Sequence, residues 1–388
     1  MRFLFIPTYL LASLVLGISC SSPKDQAYFE EMNEQLRMEF APDKRVALWD
    51  LSWEDGTLKG ETNLRGAYEK LLILLESKGV QVKDSVVVLP SRELGNETFA
   101  LVTISVANIR SEPKHSSELA TQALMGTPLK VLKANGTWFM VQTPEGYISW
   151  VDAAGIQVLT EEDLLRWEKR PKLVSTEMLG YIYENDEEAE PMSDITAGNI
   201  VALVGETEFS YEVELPDGRR GFAPKNSMLE FEEWIGSRDL SDDNLIRTAK
   251  NMMGVPYLWG GTSPKGVDCS GFTKTIYYLN GMIIPRDASQ QVHEGEEIDT
   301  GKNWDRLEVG DLLFFGSPAT ADQPERVIHV GMWIGNYSFI HSRGRVRISS
   351  FNPEDPNYDE YELNRYLRTK RIRNQNSENL WPVNLLIQ

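Results

Sequence analysis

Three side chains in this sequence have the chemistry of a nucleophile and its proton acceptors: Cys269 in VDCSGF, His329 in IHVGMWIG and His341 in FIHSRG. A thiol becomes an effective nucleophile toward carbonyl carbon when a base stands beside it, and imidazole is the usual base near neutral pH. Cys269 stands where a Gly-Val-Pro break and an aromatic, glycine-rich loop give way to an apolar run that reads as a helix. At the first turn of a helix, unpaired backbone N–H groups and the positive end of the dipole favour a thiolate. The sequence therefore predicts a thiol pKa below the free value of about 8.5. In this reading His329 takes the thiol proton and later gives one to the leaving amine, while His341 holds His329 in the useful tautomer. Backbone N–H groups at the helix start, that of Cys269 included, are the expected oxyanion donors. A lone cysteine is more often a buried structural residue, so Cys269 reads as a nucleophile only in the company of the residues around it.

The elements that must position them can be read from periodicity. Ser241 to Met253 has Leu245, Ile246, Ala249 and Met253 on one face, Ser241 as N-cap and Gly254 as stop, which predicts a helix. Asp311–Phe315, Val327–Ile334, Phe339–Ser342 and Arg345–Ser349 read as antiparallel strands behind the catalytic helix. Gly335-Asn336 turns between the two strands that carry the histidines. Whether both rings face the thiol depends on strand register, which alternation alone leaves open.

Five motifs follow one another here: Tyr257-x-Trp259-Gly260-Gly261, Asp268-Cys269-Ser270-Gly271, Pro285-Arg286-x-x-Ser289-x-Gln291, Gly310-Asp311-Leu312 and His329-Val330-Gly331. In this order they resemble the NlpC/P60 family of cell-wall cysteine peptidases, over residues 240–373. The resemblance implies a papain-like α+β catalytic domain that hydrolyses the bond between γ-D-glutamate and a diamino acid in peptidoglycan stem peptides. Members that join SH3-like modules to this domain include ones that require a free N-terminal L-alanine and release L-Ala-γ-D-Glu, and the order of modules here resembles that subgroup. By the same resemblance Asp268 binds the substrate ammonium, Ser270 and Ser289 hold the D-glutamate carboxylate, and Tyr257 and Trp259 wall the pocket. The first SH3-like module is expected to add an acidic and an aromatic residue, for which Glu112 and Tyr147 are the candidates. Helix capping is the plainer role for Asp268 and Ser270, and both roles can hold at once.

The rest of the chain sets bounds. At 388 residues it is too long for one ordinary core. The formal net charge of −19 argues against non-specific nucleic-acid binding, which needs a basic face. Two cysteines build no disulfide framework, and four histidines without a cysteine cluster give no metal-ligand spacing. No cofactor is expected, and no obligate protein partner. Residues 1–20 have the basic start, short apolar run and small residues of an export signal. Ending on Cys20, the segment resembles a bacterial lipoprotein signal in which Cys20 is acylated, so an exported, membrane-anchored protein at the periplasmic face of the envelope is expected.

After a polar tether (21–43), in which Tyr28 to Phe40 could make a turn or two of helix, residues 44–98 read as a small α/β unit of strand, helix and strand. Residues 99–159 read as a run of short strands with Asn135-Gly136 and Glu145-Gly146 turns, which resembles a bacterial SH3 barrel. Residues 172–232 repeat that grammar as a second, looser copy. Residues 374–388 form a tail, LWPVNLLIQ at its end, that is expected to pack onto a domain. The fold class is therefore multidomain α+β: an N-terminal α/β unit, two SH3-like β-barrels and the catalytic domain. Two other readings compete: an endopeptidase or amidase on intact peptidoglycan, and a catalytically inactive wall-binding lipoprotein.

Overall fold

The computed structural model describes residues 23–187, 190–298, 301, 303–375 and 377–387, and the chain separates after Leu89 into two units. In the first, helix α1 (Pro23–Phe40) buries Phe29, Met32 and Leu36, a helical i, i+3, i+7 stripe. These residues share a core with Leu58, Leu71 and Leu75. Of the segment 21–43, a tether by its polarity, residues 23–40 are thus helix and belong to this unit; three well-spaced apolar residues suffice to dock it. Strands β1 (Trp49–Glu54) and β2 (Thr57–Thr62) form a hairpin whose turn, Asp55-Gly56, has φ of 48° and 80°. Asp-Gly adopts that left-handed pair readily, so the expected single first strand is a hairpin. Helix α2 (Arg65–Ser77) then crosses over to β3 (Lys83–Val88), parallel to β2.

The second unit begins with residues 90–98, which the sequence reading assigns to the α/β unit. Here Ser91 N–H donates to Leu132 O at 2.8 Å and Leu94 packs on the core of the next sheet. That sheet contains β4 (Phe99–Val102), β5 (Val106–Arg110), β6 (Leu119–Leu124), β7 (Pro128–Asn135), β8 (Trp138–Gln142), β9 (Ile148–Asp152) and β10 (Ile156–Leu159), in the order β10-β4-β7-β8-β9-β5-β6. Helix α3 (Glu161–Glu168) follows, started by a Thr160/Asp163 capping box.

A second sheet contains β11 (Lys172–Ser175), β12 (Gly180–Tyr183), β13 (Pro191–Ile195), β14 (Ile200–Glu206), β15 (Ser210–Glu214), β16 (Arg220–Pro224) and β17 (Met228–Glu230). Its order read from the β17 end is β17-β11-β14-β15-β16-β12-β13, the first order with every strand advanced by seven. The repeat that sequence shows only loosely is therefore complete in topology.

The remaining elements are α4 (Phe231–Gly236), α5 (Asp242–Asn251), the short hairpin β18 (Thr262–Ser263) and β19 (Gly266–Val267), α6 (Cys269–Leu279), β20 (Met282–Ile283) and α7 (Ala288–Gln291). A sheet of β21 (Glu296–Ile298), β22 (Leu312–Ser317), β23 (Arg326–Gly335), β24 (Ser338–Arg343), β25 (Arg345–Ser350) and β26 (Tyr366–Arg371) backs them, with α8 (Glu360–Asn364) inserted before its last strand. Its order is β21-β26-β22-β23-β24-β25, antiparallel throughout. Every residue of α6 except Lys274 is buried, as a helix enclosed by a sheet and neighbouring modules must be. Phe272 and Ile276 are fully buried against this sheet, each contributing about 1.5–3 kcal/mol of burial. The apolar tail packs too: β27 (Trp381–Pro382) pairs with β20, and Val383 and Leu386 join a core with Leu279 and Ile283.

The first sheet is fastened to the loop before Cys269 by one buried side chain. Thr262 N–H donates to Gln122 Oε1 at 2.9 Å, Thr262 Oγ1 donates to Gln122 O at 3.0 Å, and Ser263 Oγ donates to the same Oε1 at 3.0 Å. Buried, mutually satisfied polar contacts of this kind fix a relative orientation that apolar packing alone leaves loose.

Candidate active site

Asp268 is the N-cap of α6: its Oδ1 accepts from Gly271 N–H at 2.7 Å, and its Oδ2 accepts from Gly260 N–H at 3.0 Å. Gly271 is glycine because a Cβ there would lie 1.9 Å from Gly261 O, so the aromatic loop rests directly on the helix's first turn. Cys269, the next residue, is a free thiol with 7 % exposure. Burial, and then the adjacent Asp268 carboxylate, push its pKa up to about 12; the N–H groups of Val330 and Ser270 and the charge of Arg286 pull the other way and lose. This corrects the expectation of a depressed thiol. A helix start favours the anion, but enclosure and a neighbouring carboxylate outweigh it.

The histidine register is settled by a glycine. Met332 pairs with Ile340 across β23 and β24, which sets Gly331 opposite His341 and places His329 on the same face one diagonal step away. A Cβ on Gly331 would lie 3.1 Å from His341 Cβ. Without it the rings lean together, and His329 Nε2 and His341 Nδ1 are 2.7 Å apart. His341 is fully enclosed, His329 nearly so. Burial lowers the pKa of both: His329 well below its ordinary value, with further depression from His341, Arg365 and Arg343, and His341 to about 3, with Arg347 and Arg343 adding to the effect. Both rings are therefore neutral at physiological pH, and the resting pair is thiol and imidazole.

Alkylation tests that state. Labelling of Cys269 by iodoacetamide is expected to be slower than that of a free cysteine peptide at about pH 7.5, and to keep rising above about pH 9 where a free thiol levels off. A rate that is high and flat from about pH 6 upward would show a resting thiolate and refute the neutral pair.

Both oxygens of Asp268 are engaged by Arg286, at 2.6 Å from Nη2 to Oδ2 and 3.1 Å from Nη1 to Oδ1, beyond the two backbone bonds already given. Arg286, 1 % exposed, also donates to Ser270 Oγ at 3.0 Å and to Thr121 Oγ1 of the first sheet at 3.1 Å. Ser270 thus lies beside the cap, while Ser289 is half-buried on α7. Tyr257 is half-buried near Cys269, and burial, followed by the nearby Asp268 carboxylate, keeps its phenol protonated. Trp259 is exposed, its Nε1 donating to Glu118 Oε1 at 2.6 Å. Tyr147 is buried, and its hydroxyl reaches Asp287 Oδ2 at 3.4 Å. Glu112 is exposed and pairs with Lys114 at 2.5 Å; the acidic residue of the first sheet that meets the catalytic loop is Glu118. Cys20 lies outside the described residues.

Sequence reading passed over Arg286, Asp287, Glu118 and Glu362. Arg286 lies in the Pro285-Arg286-x-x-Ser289-x-Gln291 motif, which by itself assigns it no role. Glu362 is fully buried, 3.9 Å from His329 Nε2, and held by Arg365 at 2.7 Å and Arg343 at 3.3 Å; burial raises its pKa. The donor atoms of His329, His341 and Glu362 lie within 4.8 Å of one another. A cation among them would have to break the imidazole pair and compete with two guanidinium groups, so the cluster is arranged for proton handling.

The NlpC/P60 family profile matches residues 254–365, and one described as the bacterial dipeptidyl-peptidase SH3 domain matches residues 109–156. The chain is 33 % identical over 237 residues to a γ-D-glutamyl-L-lysine dipeptidyl-peptidase of Bacillus cereus, covering 59 % of this chain and 68 % of that protein. It is 28 % identical over 276 residues to dipeptidyl-peptidase 6 of Lysinibacillus sphaericus, covering 67 % and 94 %. The crystal structure of an NlpC/P60 family protein from Bacillus cereus superposes with a TM-score of 0.60 at 26 % identity, covering 71 % of this chain and 99 % of that one. A cysteine at a helix start, a paired-imidazole hairpin and these similarities agree: the chain belongs to the NlpC/P60 family of cysteine peptidases.

Proposed function

We propose that the protein hydrolyses the bond between γ-D-glutamate and the diamino acid of peptidoglycan stem peptides that carry a free N-terminal L-alanine, releasing L-Ala-γ-D-Glu. The relatives named above act in their own names as dipeptidyl-peptidases. The observation that carries the reading is the intrusion of the first sheet into the catalytic loops. Tyr147 and Glu118, which precede β9 and β6, meet Asp287 and Trp259, and in this reading those contacts bound the place where a peptide's first residue would lie. A blocked end bordered by carboxylates suits an ammonium and rejects a continuing chain. With Asp268 saturated by Arg286, the more exposed Asp287 and Glu118 are the carboxylates better placed for that ammonium.

In the reaction Cys269 Sγ attacks the γ-carbonyl carbon as its proton passes to His329. Collapse of the tetrahedral adduct expels the diamino acid, whose amine takes that proton, and leaves a thioester. Water, deprotonated by His329, then attacks the thioester and returns the thiol.

The test is L-Ala-γ-D-Glu-L-Lys and its diaminopimelate counterpart, each with a free or an acetylated amine, followed by mass spectrometry. The free-amine peptides are expected to be cut with kcat/KM on the order of 10²-fold or more above the acetylated ones. Equal cleavage of both forms would reject the dipeptidyl reading in favour of an endopeptidase. We further infer that Cys20 is acylated and anchors the exported protein at the periplasmic face. Incorporation of a palmitate analogue, lost in Cys20→Ala, checks this.

A further inference from the structure

We propose that Asp359, acting through Ser349, is a positioning residue that selects the working tautomer of both active-site histidines; this rests on the peptidase reading of Cys269 and His329. His329 Nε2 is committed to His341 Nδ1 at 2.7 Å, so Nδ1 is the nitrogen left for the thiol proton. To accept that proton Nδ1 must be bare, which puts the ring proton on Nε2, donating to His341 Nδ1. The proton of His341 must then sit on its Nε2, which in turn needs an acceptor. Ser349 Oγ lies there at 3.0 Å. A hydroxyl can present either its proton or a lone pair, and Ser349 is committed: its O–H donates to Asp359 Oδ2 at 2.9 Å. A carboxylate only accepts, so the chain from Asp359 to the His329 ring has one direction.

The opposite direction is also on offer. Arg347 Nε–H lies 3.4 Å from His341 Nε2, and a guanidinium only donates. If that contact prevailed, His341 would carry its proton on Nδ1 and His329 on its own Nδ1, leaving a donor on the nitrogen where a base is needed. Asp359 opposes this outcome by holding the Ser349 proton. It also draws Arg347 Nη2 to 3.2 Å of itself. Its own seat is fixed: Oδ1 caps α8 by accepting from Glu362 N–H at 3.1 Å, and its N–H donates to Ser350 O at 2.8 Å.

With four histidines in the chain, imidazole ¹⁵N spectra of the full-length protein are sparse enough to read each tautomer without substrate. Wild type is expected to show Nε2–H forms of His329 and His341. Ser349→Ala is expected to move both to Nδ1–H and to lower kcat on the order of 10²-fold with KM within about twofold, since general-base catalysis contributes about 10²–10⁴-fold. Adding Arg347→Met to Ser349→Ala removes the competing donor, and is expected to restore at least about tenfold of kcat. Asp359→Asn, whose amide oxygen stays with the α8 cap and leaves its NH₂ toward Ser349, is expected to act in the same direction, and serves should Ser349→Ala fail to fold. Nδ1–H forms in wild type, or variants that keep the wild-type spectrum and kcat, overturn the inference. Rapid tripeptide cleavage by an unimpaired Ser349→Ala would sink it while leaving the peptidase reading intact; failure of the tripeptide assay alone would leave the tautomer result standing.

Discussion

Cys269→Ser is expected to lose on the order of 10⁴-fold or more in kcat on the tripeptide, with little change in melting temperature. Removing a nucleophile that works as a unit with its base costs losses of this size or larger. The reason is specific to this site. His329 is held neutral with its pKa well below the ordinary range by burial, His341 and two nearby guanidinium groups, which makes it a weak base. A weak base can assist a thiol, whose proton is comparatively acidic and whose sulfur is intrinsically nucleophilic, but not an alcohol. The oxygen is smaller than the sulfur and keeps the same two N–H neighbours, Val330 and Ser270, so the enclosed position tolerates it. Steady-state kinetics beside calorimetry separates the two effects. Retention of even a few per cent of activity would mean that the sulfur is not the attacking atom.

How much of this site could be read from the chain depends on whether its causes are local. The thiol at a helix start and the hairpin carrying two histidines follow from apolar spacing and a Gly-Asn turn, and sequence reading finds both. That the two rings face one way follows from a register fixed by Met332 and Ile340 and from the missing side chain of Gly331, which alternation does not reveal. The direction of the thiol pKa is not legible in the chain, because the helix dipole is visible in sequence and enclosure is not. Asp359 and Glu362 lie in DEYELN, a stretch that reads as solvated surface, yet are 8 % and 0 % exposed; only the fold puts guanidinium groups on them. The first helix is only partly legible, as a turn or two within 28–40, since its polar residues outnumber the three that dock it. The second sheet matched the first only loosely in residues but completely in strand order, because topology tolerates substitutions that erase a motif.

Arg286→Met is expected to destabilise the protein by about 3–5 kcal/mol, the range for stripping one partner from a buried ion pair. The side chain is 1 % exposed and Asp268 is 7 % exposed, so the abandoned carboxylate has little water to turn to. Losing the guanidinium also removes one bond to Ser270 and one to Thr121, the latter tying the catalytic helix's cap to the first sheet. Activity should fall further than the folded fraction does. The Arg286 charge is one of the groups that hold the Cys269 pKa down against burial and Asp268, and without it the thiol is still harder to ionise. Denaturant unfolding gives the first effect, and kcat measured where the variant is fully folded gives the second. Asp268→Asn added to Arg286→Met should recover part of the stability, because an amide leaves no charge unpaired and still accepts from Gly271 N–H. If the double variant is no more stable than Arg286→Met alone, the loss comes from packing and not from a stranded carboxylate. The ion pair would then be an accessory to the cap and not the base on which the thiol sits.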